Sequence, residues 1–113
     1  MSVDQDRVWP TEWLRGMLNL CVLRIIADGP TYGYEIAQRL QAAGLGEVKG
    51  GTLYPMLAKF VAAGDMTTHW EQPSAGPGRK YYQLTEQGQD LFVSSVSKWA
   101  DFTDTVGSVL AGE

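Results

Sequence analysis

The chain has 113 residues, 44% apolar and 19% charged, which fits one globular domain and excludes a second large one. Twelve aromatic residues, four of them tryptophan, are many for one modest core, so we expect a partner subunit to cover some of them. The formal net charge of −4 excludes a uniformly basic surface. Residues 36–85 nevertheless carry five basic and three acidic side chains, so any contact with phosphate is expected there.

Several other classes of protein are not expected. No apolar stretch approaches the ~18 residues of a membrane span, and the acidic residues 1–7 lack the basic end of a signal peptide, so we predict a cytoplasmic protein. Cys21 and His69 are the only residues of their types, which argues against a disulfide and against a metal site. No nucleophile paired with a base and no phosphate-binding loop is found, so we predict neither catalysis nor a cofactor.

Apolar periodicity predicts two helices before residue 44. The first follows Pro10, because proline suits a helix start, and runs to about Ala27 with apolar residues around most of its circumference. Thr31 is the expected N-cap of the second helix, which covers about residues 32–43. Gly44 opens the break that follows.

A third helix is predicted from about Gly51 to Ala63, with Pro55 in or near its first turn and a glycine stop at Gly64. The apolar period then shortens to two. This change predicts a hairpin, with strands over residues 66–71 and 79–84.

The hairpin sequence also predicts a turn and one core residue. Residues 72–78 are rich in proline and glycine and form the expected turn. Tyr82 shares a strand face with Leu84, so Tyr82 is the tyrosine that we expect in the core.

Thr85 is the expected N-cap of a last, long helix, with Glu86 in its first turn. Six residues of this helix follow one another at spacings of four, three, four, three and four: Phe92, Val96, Trp99, Thr103, Val106 and Leu110. That spacing is typical of a heptad seam. A seam of nearly three heptads has little to pack against in so small a domain, so we predict that it forms a dimer interface.

The order of three helices, a hairpin with basic residues and a long helix is that of a winged helix-turn-helix. The predicted fold class is therefore mainly α (α+β), with a two-stranded wing and a long C-terminal dimerisation helix. We assign residues 1–84, including the N-terminal helix, to a DNA-binding domain and residues 85–113 to the dimerisation helix.

Three segments resemble motifs of the PadR family of transcriptional regulators, in the family's order and with suitable gaps. They are residues 32–36 (YGYEI), 51–57 (GTLYPML) and 79–88 (RKYYQLTEQG). With the preceding helix, the resemblance spans about residues 13–110. The single C-terminal helix is similar to the smaller subfamily, which includes a lactococcal multidrug-binding repressor.

The resemblance implies a homodimeric repressor whose third helix enters the major groove while its wing lies along the phosphates. It places Thr52, Tyr54 and Lys59 on the recognition helix and Arg79 and Lys80 on the wing. Hydroxyls and amines suit both base edges and backbone, so either kind of contact is open for the helix residues.

Three positions depart from the family pattern. Lys49 and Gly50 stand where many members have serine and proline, so the recognition helix starts differently or Lys49 adds a phosphate contact. Asp65 replaces a residue that is usually apolar, and we expect weaker packing at the root of the wing.

Gly33 is predicted to be a point of close approach, with Tyr32 and Tyr34 as packing residues whose hydroxyls are hydrogen-bonded.

The resemblance also implies an effector site. Trp99 matches a tryptophan that lines a pore between subunits and stacks flat aromatic ligands, although simple packing is the alternative. Trp13 and Met17 are candidates for completing the same apolar pocket. Asp101 is a candidate for attracting a cationic drug, or else a solvated acid.

The predicted function is a ligand-responsive repressor that binds a near-palindromic DNA operator as a homodimer, with a planar aromatic molecule as effector. A phenolic acid and a cationic aromatic drug are both open as effectors. The alternative is a dimeric winged-helix module that binds protein or small molecules without regulating DNA.

Overall fold

The computed structural model describes residues 9–113, and the prediction for residues 1–8 lies outside this range. Four α-helices are present: α1 (Thr11–Ala27), α2 (Gly33–Leu40), α3 (Gly50–Ala62) and α4 (Glu86–Leu110). Three strands form one antiparallel sheet in the order β1–β3–β2: β1 (Thr31–Tyr32), β2 (Met66–Glu71) and β3 (Arg79–Leu84). A mostly helical chain with one small sheet confirms the predicted winged-helix fold.

The helix boundaries follow local signals in the sequence. Pro10 is the N-cap of α1, and its carbonyl accepts a hydrogen bond from Trp13 N at 3.0 Å. A π-helical turn (Gln41–Leu45) continues α2 until Gly44, whose φ of 99° ends the helical path. The third helix, α3, begins one residue earlier than predicted, so Pro55 is its sixth residue and lies in the second turn.

The first strand differs from the prediction. Thr31 is not an N-cap, because Tyr32 occupies that position and Thr31 pairs in register with Tyr82 of β3. The side chain of Thr31 is buried, and its hydroxyl donates a hydrogen bond to the Glu35 carboxylate. The two-residue pairing adds a third strand to the predicted two-stranded wing, since extended residues beside an open sheet edge satisfy their backbone groups there.

The two wing strands pair from Met66↔Leu84 to Glu71↔Arg79. The inner face of the sheet near α1 is buried and includes Tyr82, which confirms the predicted core tyrosine. The core combines this face with buried residues of the first three helices: Leu18, Val22, Leu23, Ile25, Ile26, Ile36, Leu40, Leu53 and Leu57.

Asp65 lies at the root of the wing and is buried. Gln87 Nε2 donates to Asp65 Oδ1 at 2.8 Å, and Thr85 N donates to the Asp65 carbonyl at 3.0 Å. Gly88 packs directly on this carbonyl. The polar residue that we expected to weaken the packing is therefore hydrogen-bonded to the first turn of α4, as burial of a carboxylate requires.

The last helix begins as predicted, because Thr85 Oγ1 accepts a hydrogen bond from Gly88 N at 3.0 Å. α4 has 25 residues, which corresponds to a length of about 37 Å. Its residues 101–110 are all exposed, so the end of the helix projects beyond the rest of the chain. Within residues 9–113, no helix is both long and apolar enough to cross a bilayer.

Candidate nucleic-acid interface and effector groove

The recognition helix α3 is anchored by Leu53 and Leu57, which are almost fully buried. Four small residues lie on its exposed side: Gly51, Pro55, Ala58 and Ala62. Because these side chains project little, the helix backbone can approach a groove of DNA closely. Lys49, at the N-cap, is exposed, and its carbonyl accepts hydrogen bonds from Thr52 N and Leu53 N at 2.9 and 3.0 Å.

The predicted recognition residues lie on two sides of the exposed face of α3. Thr52 and Lys59 are exposed and line a shallow groove between α1 and α3. Tyr54 points to the other side, where it faces the wing. A duplex that lies along the exposed face would meet Thr52 and Lys59 on one flank and Tyr54 on the other.

A cleft of about 650 Å³ separates the recognition helix from the wing, and we call it the wing cleft. It is lined by residues from the start of α2, from α3 and from the two wing strands, chief among them Tyr32, Tyr34, Tyr54, Trp70, Arg79 and Lys80. Tyr54 and Lys80, predicted separately as DNA contacts, are brought together here. Arg79 borders the same cleft, but its guanidinium lies over the ring of Tyr32, on the strand face opposite to Lys80.

Tyr34 and Trp70 also belong to this surface, although neither was predicted to do so. Tyr34 is 62% exposed rather than packed, although its hydroxyl accepts the expected hydrogen bond, from Gln38 Nε2 at 2.8 Å. Trp70 is 70% exposed. The available signal was the strand alternation, which places Trp70 on the same face as Met66, toward α3.

Gly33 allows the phenol of Tyr54 to pack on the start of α2. A β-carbon at Gly33 would lie 2.6 Å from Tyr54 Cε1, so only glycine fits without moving the ring. This contact confirms the predicted close approach.

Burial raises the pKa of Tyr82, and the neighbouring phenol of Tyr54 raises it further, so Tyr82 stays neutral beneath the cleft.

The two cations of the wing remain without an acidic partner. Arg79 lies over the ring of Tyr32, with Cζ 4.6 Å from the ring centroid, and Lys80 Nζ lies 5.8 Å from the centroid of Tyr82. Glu71 is opposite Arg79 in register but contacts His69, with 3.0 Å between Oε2 and Nε2. Among the described residues, neither Arg79 nor Lys80 has an ion-pair partner, so both are available to phosphate.

The predicted effector residues are not assembled within one chain. Trp99 is half-buried, with its ring centroid 5.8 Å from that of Phe102, and both line a groove of about 360 Å³ between α1 and α4. Trp13, Met17 and Asp101 lie outside this groove. Trp13 is 61% exposed and stands 6.4 Å from Trp9, centroid to centroid.

The groove also contains two residues that were not predicted to line it. Lys98 and Phe102 line it together with Trp99. Phe102 lies three residues beyond Trp99, so the helical spacing alone places both rings on neighbouring positions of one face. Lys98 makes the groove a mixed apolar and cationic surface.

The predicted heptad seam is only partly covered within the chain. Phe92 packs on the core, whereas Val96, Val106 and Leu110 are exposed. Thr103 donates its hydroxyl to the carbonyl of Trp99 in its own helix, at 3.0 Å. Three further exposed apolar residues widen the apolar face beyond the seam: Val93, Phe102 and Val109.

The single cysteine and histidine do not form a reactive site. Burial raises the pKa of the Cys21 thiol, which keeps it protonated and unreactive. His69 stacks on Tyr81, with ring centroids 5.5 Å apart. Within residues 9–113, no three histidine, cysteine or acidic side chains are grouped as a metal ion would require.

Three helices followed by a β-hairpin, with the last of the three exposed beside the hairpin, form the arrangement of a winged-helix DNA-binding protein. The model of the transcriptional regulator PadR-like family matches residues 22–93, and the chain belongs to this family. It is therefore a PadR-like transcriptional regulator that binds DNA, and the family is one of regulators rather than enzymes.

Solved structures support this assignment along most of the chain. A PadR-like transcriptional regulator from Bacillus cereus is 32% identical, with 91% of this chain and all of that chain covered and a TM-score of 0.80. A transcriptional regulator from Streptococcus is 32% identical over 88% of this chain and 98% of that chain, with a TM-score of 0.78. A PadR family regulator from Eggerthella lenta is 28% identical over 90% and 88% of the two chains, with a TM-score of 0.81.

Proposed function

We propose that this chain is a cytoplasmic, homodimeric and ligand-responsive repressor of the smaller PadR subfamily, similar to the lactococcal multidrug-binding repressor. The observation that carries the proposal is the apolar face of α4, since residues 101–110 are all exposed and include Phe102, Val106, Val109 and Leu110. An apolar helix face of this length is stable in water when a second helix covers it.

In the proposed dimer, residues 1–84 form the DNA-binding domain and residues 85–113 the dimerisation helix. Two recognition helices enter major grooves about 34 Å apart on a near-palindromic operator. Six residues are proposed to contact DNA: Lys49, Thr52, Tyr54, Lys59, Arg79 and Lys80. Their location on and beside the exposed face of α3 and on the wing supports this role.

The effector is proposed to be a planar aromatic molecule held at the dimer interface. Trp99 and Phe102 supply stacking faces, and the partner chain supplies a second copy of each. Trp13, Met17 and Asp101 belong to this site only if the partner brings them beside the groove. Binding changes repression if the effector favours one arrangement of the dimer over the other by a few kcal/mol.

Sedimentation and DNA titration together test the proposal. We expect a dimer at micromolar concentration, and we expect it to retain the DNA upstream of its own gene in a salt-dependent gel shift. A monomer under these conditions would contradict the proposal. A dimer that retains no duplex at low salt would instead support the alternative, a module that binds protein or small molecules.

Replacing Arg79 by alanine is expected to weaken binding about equally for all DNA sequences. Loss of one phosphate contact reduces the slope of log K against log salt by about 0.9. Titrations at several salt concentrations measure that slope. Arg39→Ala is the matched control, because Arg39 is already paired with Asp28 at 2.7 Å, and an equal change in both variants would exclude a phosphate contact by Arg79.

Replacing Trp99 by alanine is expected to raise the dissociation constant for a planar aromatic cation such as proflavine about five- to tenfold, because one stacking face is lost. Isothermal titration calorimetry gives the constant. Trp70→Ala serves as the control, since Trp70 lies on the wing and outside the α1–α4 groove. Unchanged affinity in Trp99→Ala would remove Trp99 from the effector site.

A further inference from the structure

The inner face of the wing ends in an exposed cross-strand pair, Trp70 and Lys80, which are partners in register. Side chains alternate across a strand, so this pair shares its face with the buried residues Met66, Tyr82 and Leu84. Trp70 itself is 70% exposed. The apolar face of the sheet therefore continues beyond the core and presents an indole to the wing cleft.

The indole of Trp70 is held in place by regular structure. Its neighbours His69 and Glu71 both pair with β3, so Trp70 lies on the strand and not in the turn of residues 72–78. The ring packs beside Gly78, where a β-carbon would lie 3.5 Å from Trp70 Cε3. Because the position of the ring is fixed before DNA arrives, little conformational freedom is lost when a ligand covers it.

The wing cleft lies where one strand of a duplex would pass. With α3 in the major groove, as proposed above, the wing lies beside the adjoining minor groove, and a single sugar–phosphate strand separates the two grooves. That strand would cross the cleft between α3 and the wing. Its phosphates are anionic, whereas the deoxyribose rings between them present mainly C–H groups. The strand therefore offers a charged partner and an apolar partner to the residues of the cleft.

The side chains of the cleft match this pattern. Lys80 has no ion-pair partner among the described residues, and no acidic side chain within residues 9–113 lines the cleft. Trp70 is directly opposite Lys80 across the strand pair, so an ammonium group and an indole lie on neighbouring positions of one face. A phosphate contact alone would use only the lysine. The indole has an apolar partner only if the deoxyribose packs on it.

We propose that Trp70 contacts DNA, with its indole packed on a deoxyribose of the strand that crosses the wing cleft and Lys80 on an adjacent phosphate. The indole contact buries apolar surface and releases no counterions, so it adds affinity that is independent of salt and of base sequence. This contact rests on the proposed function, because it needs α3 in the major groove. One tryptophan from each subunit of the proposed dimer then holds a wing against the operator.

Titrations of the full-length protein with the DNA upstream of its own gene, at several salt concentrations, test the contact. Trp70→Ala is expected to lower the affinity about five- to tenfold at every salt concentration, because an apolar contact is lost and the slope of log K against log salt stays the same. Lys80→Gln is expected to reduce that slope by about 0.9. Trp70→Phe keeps a ring at this position and is expected to retain most of the affinity.

His69→Ala is the matched control, since it removes an exposed ring from the opposite face of the same strand. This variant is expected to bind DNA as the parent does. Hydroxyl-radical footprinting reports on the deoxyribose itself. The parent is expected to protect sugars in the minor groove beside each half-site, and Trp70→Ala is expected to lose that protection. Circular dichroism melting checks that each variant is folded.

The outcomes separate this contact from the proposed function. If the parent retains the DNA and Trp70→Ala binds it as tightly or keeps the sugar protection, the contact is refuted and the proposed function stands. An equal loss of affinity in His69→Ala, or a lower salt slope in Trp70→Ala, would also refute the contact alone. So would a DNA bend that a circular-permutation gel shift detects with the parent and not with Trp70→Ala, because an indole inserted between base pairs kinks the duplex. A parent that retains no duplex at low salt would refute the proposed function and the contact together.

Discussion

Replacing Gly88 by alanine is expected to lower the free energy of unfolding by about 3 kcal/mol, the upper end for overpacking a buried position. The added β-carbon would lie 3.0 Å from the carbonyl carbon of Asp65 and closer still to its oxygen. That carbonyl accepts the hydrogen bond from Thr85 N, so moving it disrupts the start of α4 as well. Urea denaturation at fixed protein concentration measures the change.

Gly107→Ala is the matched control in the same helix. A β-carbon at Gly107 meets no described atom within 4 Å, so alanine there is expected to stabilise the helix by about 0.5–1 kcal/mol. If the free energy of unfolding falls in Gly88→Ala and rises in Gly107→Ala, the close contact at Gly88, rather than helix propensity, determines its effect on stability. An unchanged midpoint for Gly88→Ala would contradict the packing of this junction.

Replacing Val106 by aspartate is expected to convert the proposed dimer into a monomer, because the change places a charge in its apolar interface. A monomer engages one half-site at a time, so affinity for the full operator should fall about 100-fold or more. Sedimentation equilibrium measures the oligomeric state and DNA titration the affinity. The winged domain is expected to remain folded, since Val106 has no place in the core.

Ser108→Asp provides the control for this substitution. Ser108 is exposed on α4 and lies two residues beyond Val106, which places it on the opposite side of the helix. We expect this variant to remain a dimer. Dimers in both variants would show that the α4 face near Val106 is not the interface.

Helix and wing boundaries were predictable to within a few residues because their signals are local. Gly44 and Gly64 end helices through positive φ angles, and Thr85 caps α4 with its own hydroxyl. Strand β1 was not predictable in this way. Its two residues, Thr31 and Tyr32, become a strand only because β3 lies beside them, and that pairing depends on tertiary structure.

The candidate site was likewise predictable only in part. Arg79 and Lys80 were placed on the wing by the family resemblance, and a predicted hairpin with basic residues agreed with it. The wing cleft was not predicted, because its walls come from Tyr34, Tyr54 and Trp70, which lie on three separate elements. Strand alternation predicted which face of the sheet carries Trp70, but not which residues lie opposite that face.

The hydrogen bonds around Asp65 have a mechanical consequence. Gln87 at the start of α4 donates to both Asp65 and the carbonyl of Ala63, and Thr85 donates its hydroxyl to the carbonyl of Gly64. These links fasten the base of the long helix to the end of α3 and the beginning of β2. If α4 tilts, α3 and the wing are therefore expected to move with it as one rigid body. In the proposed dimer, an effector that acts on the far end of α4 would change the distance between the two winged domains and leave the shape of each unaltered.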